Sequence, residues 1–294
     1  SDMGYRMNLF SAFLGALTLL QVEHILRRLK VGPWLRLGAI GLLATAPYFW
    51  AMSLIAEVYT LHTALMAGII LSLLRWADEP TPLRLALPIF LMTLSLGNHM
   101  ATVLLVPGAV WYVVTNQATQ VEDWRVWVVS GTAVLLGLTS FLVLPWRYAS
   151  QPIFNYAGEY DASGLFHPVN LASFSGIWWL ITGQSFSGQM FGYTAQEIWP
   201  QITAYGVQLW TAFLAIGIGP GLLGLAALTR RNWRLGGMLL LMFLANAIFY
   251  INYRVIDKDT MFLPTYLVWT IWLGVGYQQL AYWLKNQAQP LVKP

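Results

Sequence analysis

The sequence predicts an all-α integral membrane protein, a polytopic helical bundle of about nine transmembrane helices. Three observations carry this. Only 10% of the residues are charged, 57% are hydrophobic and mean hydropathy is +0.58; a soluble domain is roughly a quarter charged. Apolar runs recur at lengths near the roughly 20 residues that a helix needs to cross a bilayer. Finally, the basic residues sort to one side once the runs are made to alternate.

The segments read as spans are 5–28, 35–56, 57–76, 83–97, 98–116, 125–147, 203–228, 235–252 and 261–284. The fourth is short and abuts the fifth at "SLGNHMA", which reads as a tight helical hairpin or as one broken helix. A backbone break at membrane depth needs protein or a wet cavity around it. With the N-terminus outside and the C-terminus inside, the inner side receives Arg27, Arg28, Lys30 and Arg36, then Arg75, Arg84 and Arg125. It also receives Arg230, Arg231, Arg234, Lys285 and Lys293. The outer side receives Arg6, Arg147, Arg254 and Lys258. Residues 1–147 thus form one helical membrane module and 203–294 a second. Between them, 148–202 is an outer loop rich in Pro, Gly, Asn and Ser. Within it, "SFSGIWWLITGQSF" is too short to span, and its tryptophans suit a helix lying in the interface.

Composition also excludes classes of function. Cysteine is absent, which removes disulfides, thiolate metal sites and cysteine nucleophiles. The net charge of +4 follows membrane side and forms no basic run interleaved with aromatics, so nucleic acid is not an expected partner. No metal-ligating set is read; "DKD" at 257–259 has DxD spacing but reads as a charged turn.

The informative polar groups sit at the outer helix ends. Glu57, in "LIAEVYTLHTAL", reads as a general base facing an outer cavity or as a cap on the third span. Tyr59, His62 and His99 accompany it. An intramembrane His can ligate a metal or a pigment, or simply hydrogen-bond between helices. His24 and His167 carry no such signal. In "NYRVIDKDT", Arg254, Asp257, Lys258 and Asp259 either neutralise one another in a tight turn or bind an anionic head group, with an aspartate orienting a cation. Arg147, in "LPWRYASQP", is a third outer cation. Trp178 and Trp179 read as interfacial residues or as platforms for a sugar.

The blocks "RMNLFSAFLGALTLLQVEHILRRL", "APYFWAMSLIAEVYTLHTALMAGIILSLLRW", "SLGNHMATVLLVPG", "LPWRYASQPIFNY" and "NYRVIDKDTMFLPTYLVWTIWLGVG" occur in this order. In them the chain resembles, over nearly its whole length, a bacterial family of polytopic membrane proteins related to the eukaryotic transmembrane O-mannosyltransferases. The resemblance implies a GT-C-like fold in the bacterial inner membrane. It also implies sugar transfer from a polyprenyl-phosphate donor at the outer face, with no cofactor beyond that lipid-linked sugar. Glu57, Tyr59, His62 and His99 would then line the cavity, with Asp257 and Asp259, while Arg254, Lys258 and Arg147 hold phosphate. Family members usually begin with a further span and an acidic first outer loop, where the catalytic carboxylate is expected; this chain starts at "GYRMNLF", after that point. Three expectations follow: a truncated enzyme, an enzyme whose missing part is a separate chain, or a non-catalytic accessory subunit. The last would pack its helix faces against a larger membrane complex, with membrane lipids or pigment between them. The lipid-linked sugar, and a protein acceptor or such a complex, are the remaining expected partners.

Overall fold

A computed structural model describes residues 2–117, 123–151 and 157–288. Lys293, expected among the inner cations, lies outside the described residues, as do 152–156 of the expected outer loop. The first half of the chain contains α1 (Met3–Arg28), α2 (Pro33–Thr45), α3 (Pro47–Leu54), α4 (Tyr59–Asp78), α5 (Pro82–Leu96), α6 (Val106–Gln117), α7 (Trp124–Leu138) and α8 (Val143–Ala149). The second contains α9 (Phe174–Ile181), α10 (Ala195–Ala212), α11 (Ile218–Arg231), α12 (Trp233–Ile251) and α13 (Leu263–Ala288). Their starts follow ordinary chemistry. Asp2, Thr81, Asp123 and Asn232 accept backbone N–H bonds as N-caps of α1, α5, α7 and α12. Proline opens α2, α3 and α5, where its missing N–H costs nothing.

Among the described residues, four helices are long and apolar enough to cross a membrane: Met3–Arg28, Tyr59–Asp78, Trp124–Ala149 and Trp233–Ile251. The pair α2 and α3, bent by 66°, makes a fifth if it counts as one span. The architecture is that of an all-α integral membrane protein. α13 fills its centre. Every residue from 262 to 274 is buried, and α13 packs against α11, α2, α12, α1 and α4. A helix enclosed on all sides meets protein rather than lipid. This explains why α13 is rich in Trp and Tyr and holds Thr265 and Thr270, whose hydroxyls donate to the carbonyls of Phe262 and Tyr266.

The helices join at two ends. At one end Arg28 of α1 pairs with Asp78 of α4, Arg84 of α5 with Glu79 at 2.5 Å, and the N–H of Gly32 donates to Gln278 of α13 at 2.8 Å. At the other, Tyr48 of α3 donates to Asp259 at 3.0 Å and Asn98, after α5, donates to the carbonyl of Val58 at 3.1 Å. Most of the sequence's cations thus gather at the first end, and the "NYRVIDKDT" turn at the second.

Three local features differ from the sequence reading. The apolar run 203–228 is not continuous: α10 begins at Ala195, inside the expected outer loop, and stops at Ala212, and α11 starts at Ile218. Between them Leu214 and Ala215 adopt φ of 52° and 59°, while Phe213 is fully buried. The run 35–56 bends where Ala46 turns extended before Pro47, because proline disfavours the helical region for the residue ahead of it. The segment expected as an outer loop holds an antiparallel hairpin, β1 (Gly158–Tyr160) paired with β2 (Phe166–Pro168), closed by "DASG". The stretch expected to lie in the interface forms the short helix α9, with Phe174 81% and Trp178 54% exposed.

Candidate functional site

The site lies where the ends of α4, α5, α10 and α12 meet the turn Asn252–Asp257 and the 3-10 segment Lys258–Phe262. Tyr59 opens α4, directs its phenol at Thr260 and lies close to Asp257 and Glu57. Glu57 itself is exposed in the α3–α4 turn. One helical turn deeper, His62 is buried, with its ring centroid 5.0 Å from that of His99, which lies 5.8 Å from that of Tyr59. His62 and His99 are far apart in sequence and meet because the chain reverses at Gly97–Asn98. His62 Nδ1 lies 3.4 Å from the Thr102 hydroxyl, which lies 2.8 Å from that of Ser95. The buried Nε2 of His62 has no partner among the described residues. Also among these, no group of three or more His, Asp and Glu side chains is gathered to hold a metal ion.

The two cations of the turn are held by groups that the sequence reading did not single out. Lys258 is 8% exposed. Its Nζ donates to Gln201 Oε1 at 2.6 Å, to Tyr193 Oη at 3.2 Å and to the carbonyl of Ile251 at 3.5 Å, and it sits 4.5 Å from the centre of the Tyr193 ring. Arg254 lies 5.5 Å from the same ring, 3.4 Å from Glu197 and 3.3 Å from the carbonyl of Gly192. One tyrosine ring thus serves both cations, a favourable arrangement for a ring quadrupole. Glu197 is held below the usual carboxylate range, first by the backbone N–H and hydroxyl of Thr194 and then by Arg254. "TAQE" is a capping box, so the motif that starts α10 also carries the Arg254 partner. Burial, then the Asp257 carboxylate, push the Tyr253 phenol above its ordinary range. Asp259 accepts from Tyr48, and its own carbonyl accepts from Gln208 at 2.7 Å.

The structure therefore brings Tyr59, His62 and His99 together, sets Asp257 and Glu57 beside Tyr59, and gathers Arg254 and Lys258 on Tyr193. Arg147 stands exposed in the last turn of α8, which packs on the 3-10 turn before it. Beside Asp259, a largely apolar groove of about 740 Å³ runs between Tyr48 and the face of α10 that carries Ala204, Val207 and Thr211. In chemical terms this end combines two cations, four carboxylates and an apolar groove.

The hairpin has its own electrostatics. Asp161 accepts from the N–H groups of Ser163 and Leu165, from the Ser163 hydroxyl at 2.5 Å and from His167 Nε2 at 2.7 Å. The Ser163 and His167 bonds hold its carboxyl well below the usual carboxylate range. A lowered carboxylate pKa stabilises above the unfolded value, about 3.9, and that contribution is lost as pH falls below it. Amide exchange at Ser163 and Leu165, taken relative to the intrinsic rate at each pH, is therefore expected to quicken on acidification below about pH 4. Asp161→Ala should quicken it at neutral pH, with the bundle unaffected. Protection at these amides that does not change with pH or with the substitution would overturn this.

Residues 1–122 match the family model described as the protein O-mannosyl-transferase TMEM260 N-terminal domain. That stretch contains Glu57, Tyr59, His62 and His99, but not the turn that carries Arg254 and Lys258. No curated protein and no solved structure matches the chain.

Proposed function

We propose that this chain forms the membrane body of a GT-C-like glycosyltransferase. Nine helical passes put the N-terminus outside, the C-terminus inside and the Arg254 end at the outer face of a bacterial inner membrane. The substrate is a polyprenyl-phosphate sugar and the acceptor a hydroxyl. One observation carries the reading. Residues of the stretch that matches an O-mannosyl-transferase domain, Glu57 to His99, converge with the two cations of a turn some two hundred residues away at the same end of the bundle.

The chemistry follows from the groups at hand. Arg254 and Lys258, with Arg147, hold the donor phosphate. The apolar groove beside Asp259 accommodates the isoprenoid chain. The acceptor oxygen attacks the anomeric carbon while the bond from that carbon to the phosphate oxygen breaks, and the phosphate leaves with the bonding electrons. Cations next to that oxygen stabilise the developing charge, and a carboxylate takes the acceptor's proton. Glu57 is this chain's candidate for that base. Asp257 and Asp259 orient the turn.

Donor binding to the purified full chain tests this. Arg254→Gln removes one exposed charged contact and should weaken the donor roughly 10- to 150-fold, the range for a charge-assisted hydrogen bond. Glu57→Gln should leave donor affinity unchanged and abolish transfer. Wild-type protein that binds no lipid-phosphate sugar would overturn the reading in favour of an accessory subunit, which would co-purify with its partners.

A further inference from the structure

The opposite end of the bundle carries a second built feature. The last turn of α11 presents Arg230 and Arg231 over a cleft of about 480 Å³ between α11 and α13, walled by Leu223, Ala227 and Val275 and edged by Trp283. A smaller cavity of about 200 Å³ continues from it toward Arg28 and Tyr112, and Arg231 borders both. Asp78, the acid of that inner cavity, is already occupied by Arg28. No ion pair among the described residues involves Arg230 or Arg231. Cations at a helix C-terminus complement its dipole, but that does not account for an apolar cleft opening in front of them. Arg27, Lys30, Arg234 and Lys285 lie at the same helix ends and add to the positive field.

We propose that this cleft binds an anionic phospholipid of the bilayer, its phosphate between Arg230 and Arg231 and one acyl chain along Leu223, Ala227 and Val275. The chemistry selects this occupant. Two guanidinium groups without a carboxylate call for an anion, and guanidinium favours bidentate phosphate. An apolar wall beneath them calls for a chain, and basic pockets between transmembrane helices are where acidic head groups settle. The proposal does not depend on catalysis at the other end.

The test is retention of lipid by the full chain, reconstituted with phosphatidylcholine alone or with added phosphatidylglycerol and read by native mass spectrometry. The wild type should keep phosphatidylglycerol and shed phosphatidylcholine. Arg230→Gln with Arg231→Gln should weaken the acidic lipid roughly thirtyfold, as expected for two arginines at a membrane surface. Arg230→Lys with Arg231→Lys should retain much of it, showing that the cleft is intact. Arg75→Gln with Arg125→Gln removes equal charge on α4 and α7, from two arginines in no ion pair among the described residues, and should change nothing. Equal loss in that control would assign the effect to general surface charge and overturn the proposal. So would retention by the double Gln variant, or stabilisation of the wild type by inorganic phosphate alone to the same extent as by the lipid.

Discussion

Gly224→Ala is expected to lower the melting temperature of the bundle by roughly 6–12 °C, from a loss of about 3 kcal/mol. α11 and α13 touch through their backbones. A Cβ on Gly224 would run into the carbonyl of Trp272, and one on Gly276 would run into the carbonyl of Pro220. Because the obstacle is main chain, no rotamer change relieves it. The helices must separate along a seam that buries Trp269, Trp272 and Leu273. Interiors packed at crystal density do not absorb such a shift without losing contacts elsewhere. This puts the cost at the upper end for overpacking, ~3 kcal/mol against a typical total of ~5–15. Gly206→Ala, in the middle of α10, is the control, since a Cβ there meets no neighbouring element. It should stabilise by ~0.5–1 kcal/mol through helix propensity alone. Thermal unfolding of both variants in one detergent decides the matter. Shifts of the same sign and size would mean that α11 and α13 do not meet in this way.

How much of this could be read from the residues depends on which force sets each feature. Lipid-crossing helices are set by hydropathy, and the ends of α1, α4 and α12 fall within about two residues of the apolar runs. The α2–α3 bend is set by Pro47, and its signal was in plain view. The break after Ala212 is different. "FLAIGIG" is apolar throughout, with no proline at the break, and the left-handed Leu214 and Ala215 fall beside the fully buried Phe213. Long-range encounters leave no local trace either: nothing within a few residues of His62 announces His99, or Tyr59 its proximity to Asp257. Lys258 and Arg254 stood out as expensive charges, whereas Tyr193 and Gln201, which hold them, are ordinary loop and helix residues. Only the "TAQE" capping box marked Glu197 as fixed in place. The hairpin had its signal as well, a "DASG" turn between aromatic residues, but a short polar-rich stretch reads as loop by composition.

Lys258→Met is expected to leave the donor-free protein as stable as the wild type, or more so, while weakening the lipid-phosphate donor roughly 10- to 150-fold. The ammonium is almost fully enclosed, and its three acceptors, Gln201, Tyr193 and the Ile251 carbonyl, are all neutral. A charge taken out of water among neutral dipoles is poorly compensated, and replacing such a group with an apolar one of similar length is often neutral or stabilising. Methionine fills the same channel, and the half-buried Tyr193 and Gln201 can turn to water. A donor phosphate would supply the missing anion, so only the bound state should feel the loss. The proof therefore needs two readouts on one variant: the melting temperature without donor, and donor affinity. If Lys258 merely ties α10 to the turn, the melting temperature should fall with donor affinity unchanged. That outcome would reassign Lys258 to a structural role and leave Arg254, at the open edge of the Tyr193 ring, as the phosphate contact of the turn.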